Sequence, residues 1–146
     1  MAPEVLQVLL KRVPRSQPAR VQGYFRHRIR GHIFPGAQPA GPEDEVSGLV
    51  LHDLSAQELD VFDAFEGDEY YKVNVRPQLS DATSVDAFMY VWHERRLLYG
   101  EWDFEEWRRK HLTDYTLMCG EFIEEIGGVG SAVQRSATTP AEPQAF

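Results

Sequence analysis

The spacing of apolar positions switches repeatedly along this chain, and the switches predict the order helix, strands, helix, hairpin, helix. Residues 3–11 carry Val5, Leu6, Leu9 and Leu10 on one face, and Pro3 suits a first helical turn. Pro14 and Pro18 stop that helix. Residues 19–34 alternate loosely at Val21, Phe25, Ile29 and Ile33, which predicts one or two strands with breaks at Gly23 and Gly31. The Pro/Gly-rich run over 35–42 is expected to be loop, and 46–52 a strand. Ser55 and Glu58 form a capping box ahead of Leu59, Phe62 and Val61 or Phe65, which predicts a helix over 55–65. Tyr71, Val73 and Val75 alternate with Lys72, Asn74 and Arg76 up to Pro77. A turn over 80–84 and a strand over 85–92 complete a hairpin.

Asp103 caps a long helix, with Glu106 at the box position. Trp107, Lys110/His111, Asp114/Tyr115, Met118 and Phe122 keep helical spacing to about residue 126. Residues 128–146 are small, polar and aperiodic, and are expected to form a disordered, dispensable tail. The fold class is therefore α+β with a mainly antiparallel sheet that can curl into a barrel. One folded domain spans 1–127.

Composition narrows the function classes. The chain has 146 residues, 42% of them hydrophobic and 26% charged, which suits a single globular domain. Its net charge of −8 argues against a nucleic-acid partner, which would need a basic face. No run approaches the length of a membrane span. The single cysteine, Cys119, excludes an internal disulfide and a cysteine-built zinc site, so a cytoplasmic location is expected. The five histidines show no metal-ligand spacing, so no metal is expected. Arg26, Arg28 and Arg30 fall on one strand face, read as a solvated basic face, with anion binding as the alternative.

Two stretches carry candidate chemistry. In the first, a helix reaches Glu66 and breaks at Gly67, with Tyr70 and Lys72 opening the next strand. A carboxylate at such a junction sits on a rim, where burial can raise its pKa toward neutrality and make it a general base. The residues alone favour the plainer reading, a solvated helix-end carboxylate. Gly67 allows a sharp turn, and Tyr70 and Lys72 could frame an anionic substrate. The second stretch, 99–107, holds Tyr99, Trp102, Phe104 and Trp107. It reads as a core anchor for the long helix or as an apolar wall over a pocket.

The residues taken together resemble a known family. Phe34-Pro35-Gly36, Val46-Ser47-Gly48-Leu49-Val50, Phe65-Glu66-Gly67 with Tyr70 and Lys72, and Tyr99-Gly100-Glu101-Trp102-Asp103-Phe104 occur in the order seen in the gamma-glutamylcyclotransferase-like superfamily. The last block is similar to its plant avirulence-induced branch. The resemblance covers about residues 1–126. It implies a small β-barrel with flanking helices and an intramolecular acyl transfer that turns a gamma-glutamyl group into 5-oxoproline and frees an amine. It implies Glu66 as the general acid/base, Gly67, Tyr70 and Lys72 in substrate binding, a small gamma-glutamyl substrate, and no cofactor. Two departures stand out. Family members open with a strand and a Tyr-Gly-[Ser/Thr]-Leu turn that cradles the substrate carboxylate. This chain begins just after that turn, so the first strand is expected to be missing and a sheet edge to be left open. Lys72 stands where Arg is common, which keeps the charge without the fork. The reading from another class is a catalytically silent stress-response or interaction protein that keeps the fold.

Overall fold

The computed structural model describes residues 1–127 and 144–146. Helix α1, Pro3–Leu10, starts on a proline and buries the four residues of the expected stripe. It stops at Lys11, which adopts left-handed backbone (φ 60°). Strands β1, Ser16–Gln22, β2, Tyr24–Ile29, β3, Pro35–Pro39, and β4, Glu45–Leu51, follow. Helix α2, Ala56–Glu66, is held at its start by both arms of the capping box: the Glu58 amide donates to Ser55 Oγ (3.2 Å) and the Ser55 amide donates to Glu58 Oε2 (2.8 Å). The Glu58 carboxylate also accepts a two-pronged bond from Arg12 (2.6 and 2.8 Å), which ties the end of α1 to the start of α2.

A short 3-10 turn, Gly67–Glu69, leads into β5, Tyr70–Val75, then β6, Gln78–Leu79, and β7, Ala87–Trp92. Strands β5 and β7 form the expected antiparallel hairpin, in register from Tyr70↔Trp92 to Val75↔Ala87. Strand β8, Leu98–Tyr99, precedes helix α3, Phe104–Glu125. Asp103 caps α3 by accepting from the Glu106 amide (2.6 Å), while the Glu106 side chain turns away to Arg28 and Lys110.

The architecture is α+β. Antiparallel ladders join the strands as three sheets, β4-β1-β6, β3-β2-β8 and β5-β7, with β3 lying against β7 and β2 against β4. Among the described residues the ladders do not close into one ring. The largest core joins α1, α2 and α3 over Leu51, Trp107, Tyr115 and Cys119.

Several expectations need correction. Residues 35–39 form β3 and not a loop. Gly36 there approaches β7 so closely that a Cβ would stand 2.8 Å from Trp92 Cβ, and Gln38 donates to the Trp92 carbonyl. On α3 the buried line is Trp107, Tyr115, Cys119 and Ile123, and Met118 is exposed. The expected tail mostly lies outside the described residues, over 128–143. Its last three residues depart from the expectation of disorder. Gln144, Ala145 and Phe146 run between β4 and β7, where Leu51 and Ala145 exchange both backbone bonds (2.7 and 3.3 Å), the Phe88 amide donates to Gln144 (3.0 Å) and the Phe146 amide to Phe88 (2.8 Å). The edges of β4 and β7 are therefore covered at these positions. The Phe146 ring lies on β4 where Gly48 leaves space: a Cβ on Gly48 would meet it at 3.1 Å.

Candidate active site

The path from α2 to β5 sets the geometry. Glu66 is the last residue of α2. Gly67 follows with φ 61° and ψ −160°, a backbone region open essentially to glycine alone, and its amide closes the helix on the Asp63 carbonyl. The chain thus turns sharply and leaves Glu66 on the wall of a cavity of about 220 Å³. The other walls come from every layer of the fold: Ala2 before α1, Arg26 on β2, Tyr70 on β5, Tyr90 on β7, Trp107 and Tyr115 on α3.

The Glu66 carboxyl is half-buried, and among the described residues it has no hydrogen-bond partner. Burial pushes its pKa up from the ordinary 4.5 to about 7, with the Met1 amino group pulling it down and Asp63 pushing it further up. Four weaker acids surround it. Tyr70, Tyr90, Tyr115 and Cys119 are all raised, chiefly by burial and in part by the Glu66 charge. The Cys119 thiol reaches about 12, so it packs as a neutral group. Of these five side chains Glu66 is the one raised to about 7, and the Met1 amino group in the same cavity is lowered by burial.

Tyr70 is fixed in the wall. Its hydroxyl donates to the Pro35 carbonyl (2.7 Å), and its ring stands edge-on to Trp92 with centroids 5.1 Å apart. Gly67 and Lys72 are not brought into the lining. Gly67 acts through the backbone turn. Lys72 points its ammonium to Asp63 Oδ2 (2.8 Å) and over the Phe88 ring (5.1 Å). Since Tyr90 donates its hydroxyl to the other Asp63 oxygen, Asp63 links Lys72 to the cavity wall.

The block 99–107 fulfils both of its readings. Trp102, Phe104 and Trp107 pack ring against ring (centroids 5.8 to 6.1 Å), Phe104 and Trp107 stacked and Trp102 tilted to both, and all three line the cavity. Tyr99 is exposed. Sequence reasoning missed Tyr90 and Tyr115, which periodicity marks only as packing positions, and it set Arg26 on a solvated face with anion binding only as the alternative. The aromatic density of 99–107, beside a basic strand of unknown partner, is the signal that could have found Arg26. A second cavity of about 200 Å³ lies behind Trp107, lined by Arg28, Glu106, Lys110 and His111, and its central charges pair with one another.

An α+β fold with a half-buried carboxyl, raised toward neutrality, at a helix-to-strand turn defines a class that comparison makes specific. The sequence profile described as "Gamma-glutamyl cyclotransferase, AIG2-like" matches residues 1–109, so the chain belongs to the AIG2-like gamma-glutamyl cyclotransferase family. It is 38% identical over 130 residues to AIG2-like protein D of Arabidopsis thaliana, covering 86% of this chain and 85% of that protein. It is also 38% identical over 125 residues to AIG2-like protein C of the same plant, covering 84% and 72%. Two solution structures of Arabidopsis thaliana proteins share the fold. One has a TM-score of 0.62 at 29% identity, covering 97% of this chain and 90% of that one. The other has a TM-score of 0.62 at 32% identity, covering 84% of each. Among the described residues no helix is long and apolar enough to cross a membrane.

Proposed function

We propose that this protein is a gamma-glutamylcyclotransferase that uses Glu66 as its general acid/base. The observation that carries the reading is a cavity-wall carboxyl raised to about 7 at the turn between α2 and β5. The substrate is a small gamma-glutamyl amide, whose α-amine attacks its own side-chain carbonyl. The amine arrives as an ammonium. Ionised Glu66 takes one proton from it, the nitrogen lone pair adds to the carbonyl carbon, and a five-membered ring closes. The tetrahedral centre then collapses: Glu66 delivers its proton to the leaving nitrogen as the carbon–nitrogen bond breaks, and the ring nitrogen, which still carries one proton too many, loses it to the regenerated Glu66 carboxylate, which passes it to the released amine. The products are 5-oxoproline and a free amine. A group titrating near 7 suits both halves of this exchange, since it is neither locked as a base nor locked as an acid at neutral pH.

The rest of the rate comes from position. The reacting amine and carbonyl belong to one molecule, so a small, walled cavity that holds the chain folded supplies much of the acceleration. Tyr70 forms the rigid wall beside the carboxyl. Gly67 sets the turn that aims Glu66, and Lys72 acts through Asp63, balancing a negative charge that would otherwise raise Glu66 still further. No proton transfer in this scheme calls on a metal or cofactor.

The test is direct. Purified protein is incubated with a panel of gamma-glutamyl amino acids, gamma-glutamyl peptides and a gamma-glutamyl-lysine amide, and 5-oxoproline release is followed by chromatography. Release from at least one class supports the reading. A folded protein that releases none supports the silent-scaffold alternative.

A further inference from the structure

The cavity holds a second ionic side chain that the scheme above does not use. Arg26 sits on β2, on the face read from sequence as solvated. The structure corrects that reading because the segment leading into α3 covers this face. Arg28 pairs there with Glu106, Arg30 lies over the Tyr99 ring (5.1 Å), and Arg26 turns into the cavity wall.

Arg26 differs from its neighbours. Arg12, Arg28 and Arg108 each pair with a carboxylate, at 2.5 to 2.6 Å. Arg26 has no ion pair or side-chain hydrogen bond among the described residues, and its Nε is shut off from solvent without a partner. Burial lowers its pKa against the opposing pull of Asp103 and Glu101. A sheltered guanidinium with free donors is unfavourable unless something completes it.

The group is also held ready. Its guanidinium carbon stands 4.9 Å from the Trp102 ring centroid. That ring is fixed by two bonds, its indole N–H to the Ile33 carbonyl and its backbone amide to the Arg26 carbonyl, both 3.2 Å. A fork with a fixed plane matches a carboxylate, and pre-ordering lowers the cost of binding one. Glu66 lines the same cavity, and so does Met1, whose amino group is lowered chiefly by burial, further lowered by the Arg26 charge and raised by that of Glu66.

We propose that Arg26 is the carboxylate anchor of this cavity, gripping the α-carboxylate of the ligand so that the amine on the same carbon faces Glu66. The identity of the ligand rests on the cyclotransferase reading, but the anion site itself does not. The anchor makes the site selective for ligands with a free carboxylate beside the amine. Capping that carboxylate as an amide removes the partner of Arg26 while leaving the rest of the molecule unchanged.

Calorimetry with three probes tests this: 5-oxo-L-proline, 5-oxo-L-prolinamide, and benzoate as a carboxylate without a gamma-glutamyl framework. The wild-type protein is expected to bind the acid about 10–100-fold more tightly than the amide, the range for one charge-assisted hydrogen bond. Arg26→Gln should abolish the preference, and Arg26→Lys should keep part of it, as a charge without the fork. Melting temperatures show whether each variant is folded. A folded Arg26→Gln protein that still prefers the acid overturns the proposal. Should Arg26→Gln not fold, Arg26→Lys decides, and full retention of the preference overturns it. Arg26-dependent binding of benzoate without binding of either lactam would leave the anchor standing and sink the cyclotransferase reading. Absence of any Arg26-dependent carboxylate binding sinks the anchor.

Discussion

Replacing Glu66 by Gln should stabilise the protein, and the gain should grow with pH. In the unfolded chain this carboxyl loses its proton around 4.5; in the fold it holds the proton until about 7. Between those values the native state binds more protons than the unfolded state, so its stability falls as pH rises, and the loss is complete above 7. At about 1.36 kcal/mol per pH unit, the interval from 4.5 to about 7 corresponds to roughly 3 kcal/mol. Partial exposure of the side chain reduces this to about 2–3 kcal/mol. Gln keeps the shape and never ionises. Urea unfolding of both proteins at pH 4.5, 6, 7 and 8.5 should give curves that coincide at the lowest pH and diverge by about 2–3 kcal/mol at the highest. His52 and the remaining acids titrate in both proteins, so the comparison isolates Glu66 and the groups that feel it. A difference that stays constant with pH, or a Gln variant less stable at pH 8.5, would refute a buried, raised carboxyl.

Trp107→Ala should cost about 3–5 kcal/mol, since the ring is only 6% exposed and packs among Trp102, Phe104 and Tyr115; an unchanged melting temperature would mean that the α3 packing is wrong. Removing Gln144, Ala145 and Phe146 strips four backbone bonds from β4 and β7 and takes away the buried Ala145. Four bonds at about 1 kcal/mol net each and roughly 1.5–3 kcal/mol for the apolar contact of Phe146, less about 1–2 kcal/mol for each of three ordered residues, leave a fall of about 1–3 kcal/mol; equal melting temperatures with and without these residues would contradict their pairing.

The helices were legible because their signals are local. The capping box at Ser55 and Glu58, the Pro3 start and the α1 stripe each need only a few neighbouring residues. The hairpin was legible because both strands alternate cleanly and stand close in sequence. Glu66 could be singled out because a helix end and a strand start meet there, although its burial depends on α3 and β7, which are distant in sequence. Strand β3 was misread because Pro35, Gly36 and Pro39 look like turn residues. Pairing with β2 and the tight approach to Trp92 and Leu98 override that chemistry. Arg26 was misplaced for a different reason. Alternation tells which residues share a face, but not whether another segment covers it. On α3 the stripe was read one position early, at Met118 and Phe122, whereas the buried positions there are Cys119 and Ile123. The pairing of Ala145 was invisible, since a single residue bridging two strands leaves no period to detect.

The central claim is that Glu66 moves the proton in ring closure. The most direct measurement is the pH profile of kcat/KM for 5-oxoproline release, in the wild-type protein and in Glu66→Gln, on a gamma-glutamyl amide shown to be turned over. The wild-type profile should contain an ionisation near 7, the value set by burial of this carboxyl, and Glu66→Gln should lose about 10²–10⁴-fold in rate while remaining folded. A folded Glu66→Gln protein that retains the wild-type rate and the wild-type profile would contradict the account.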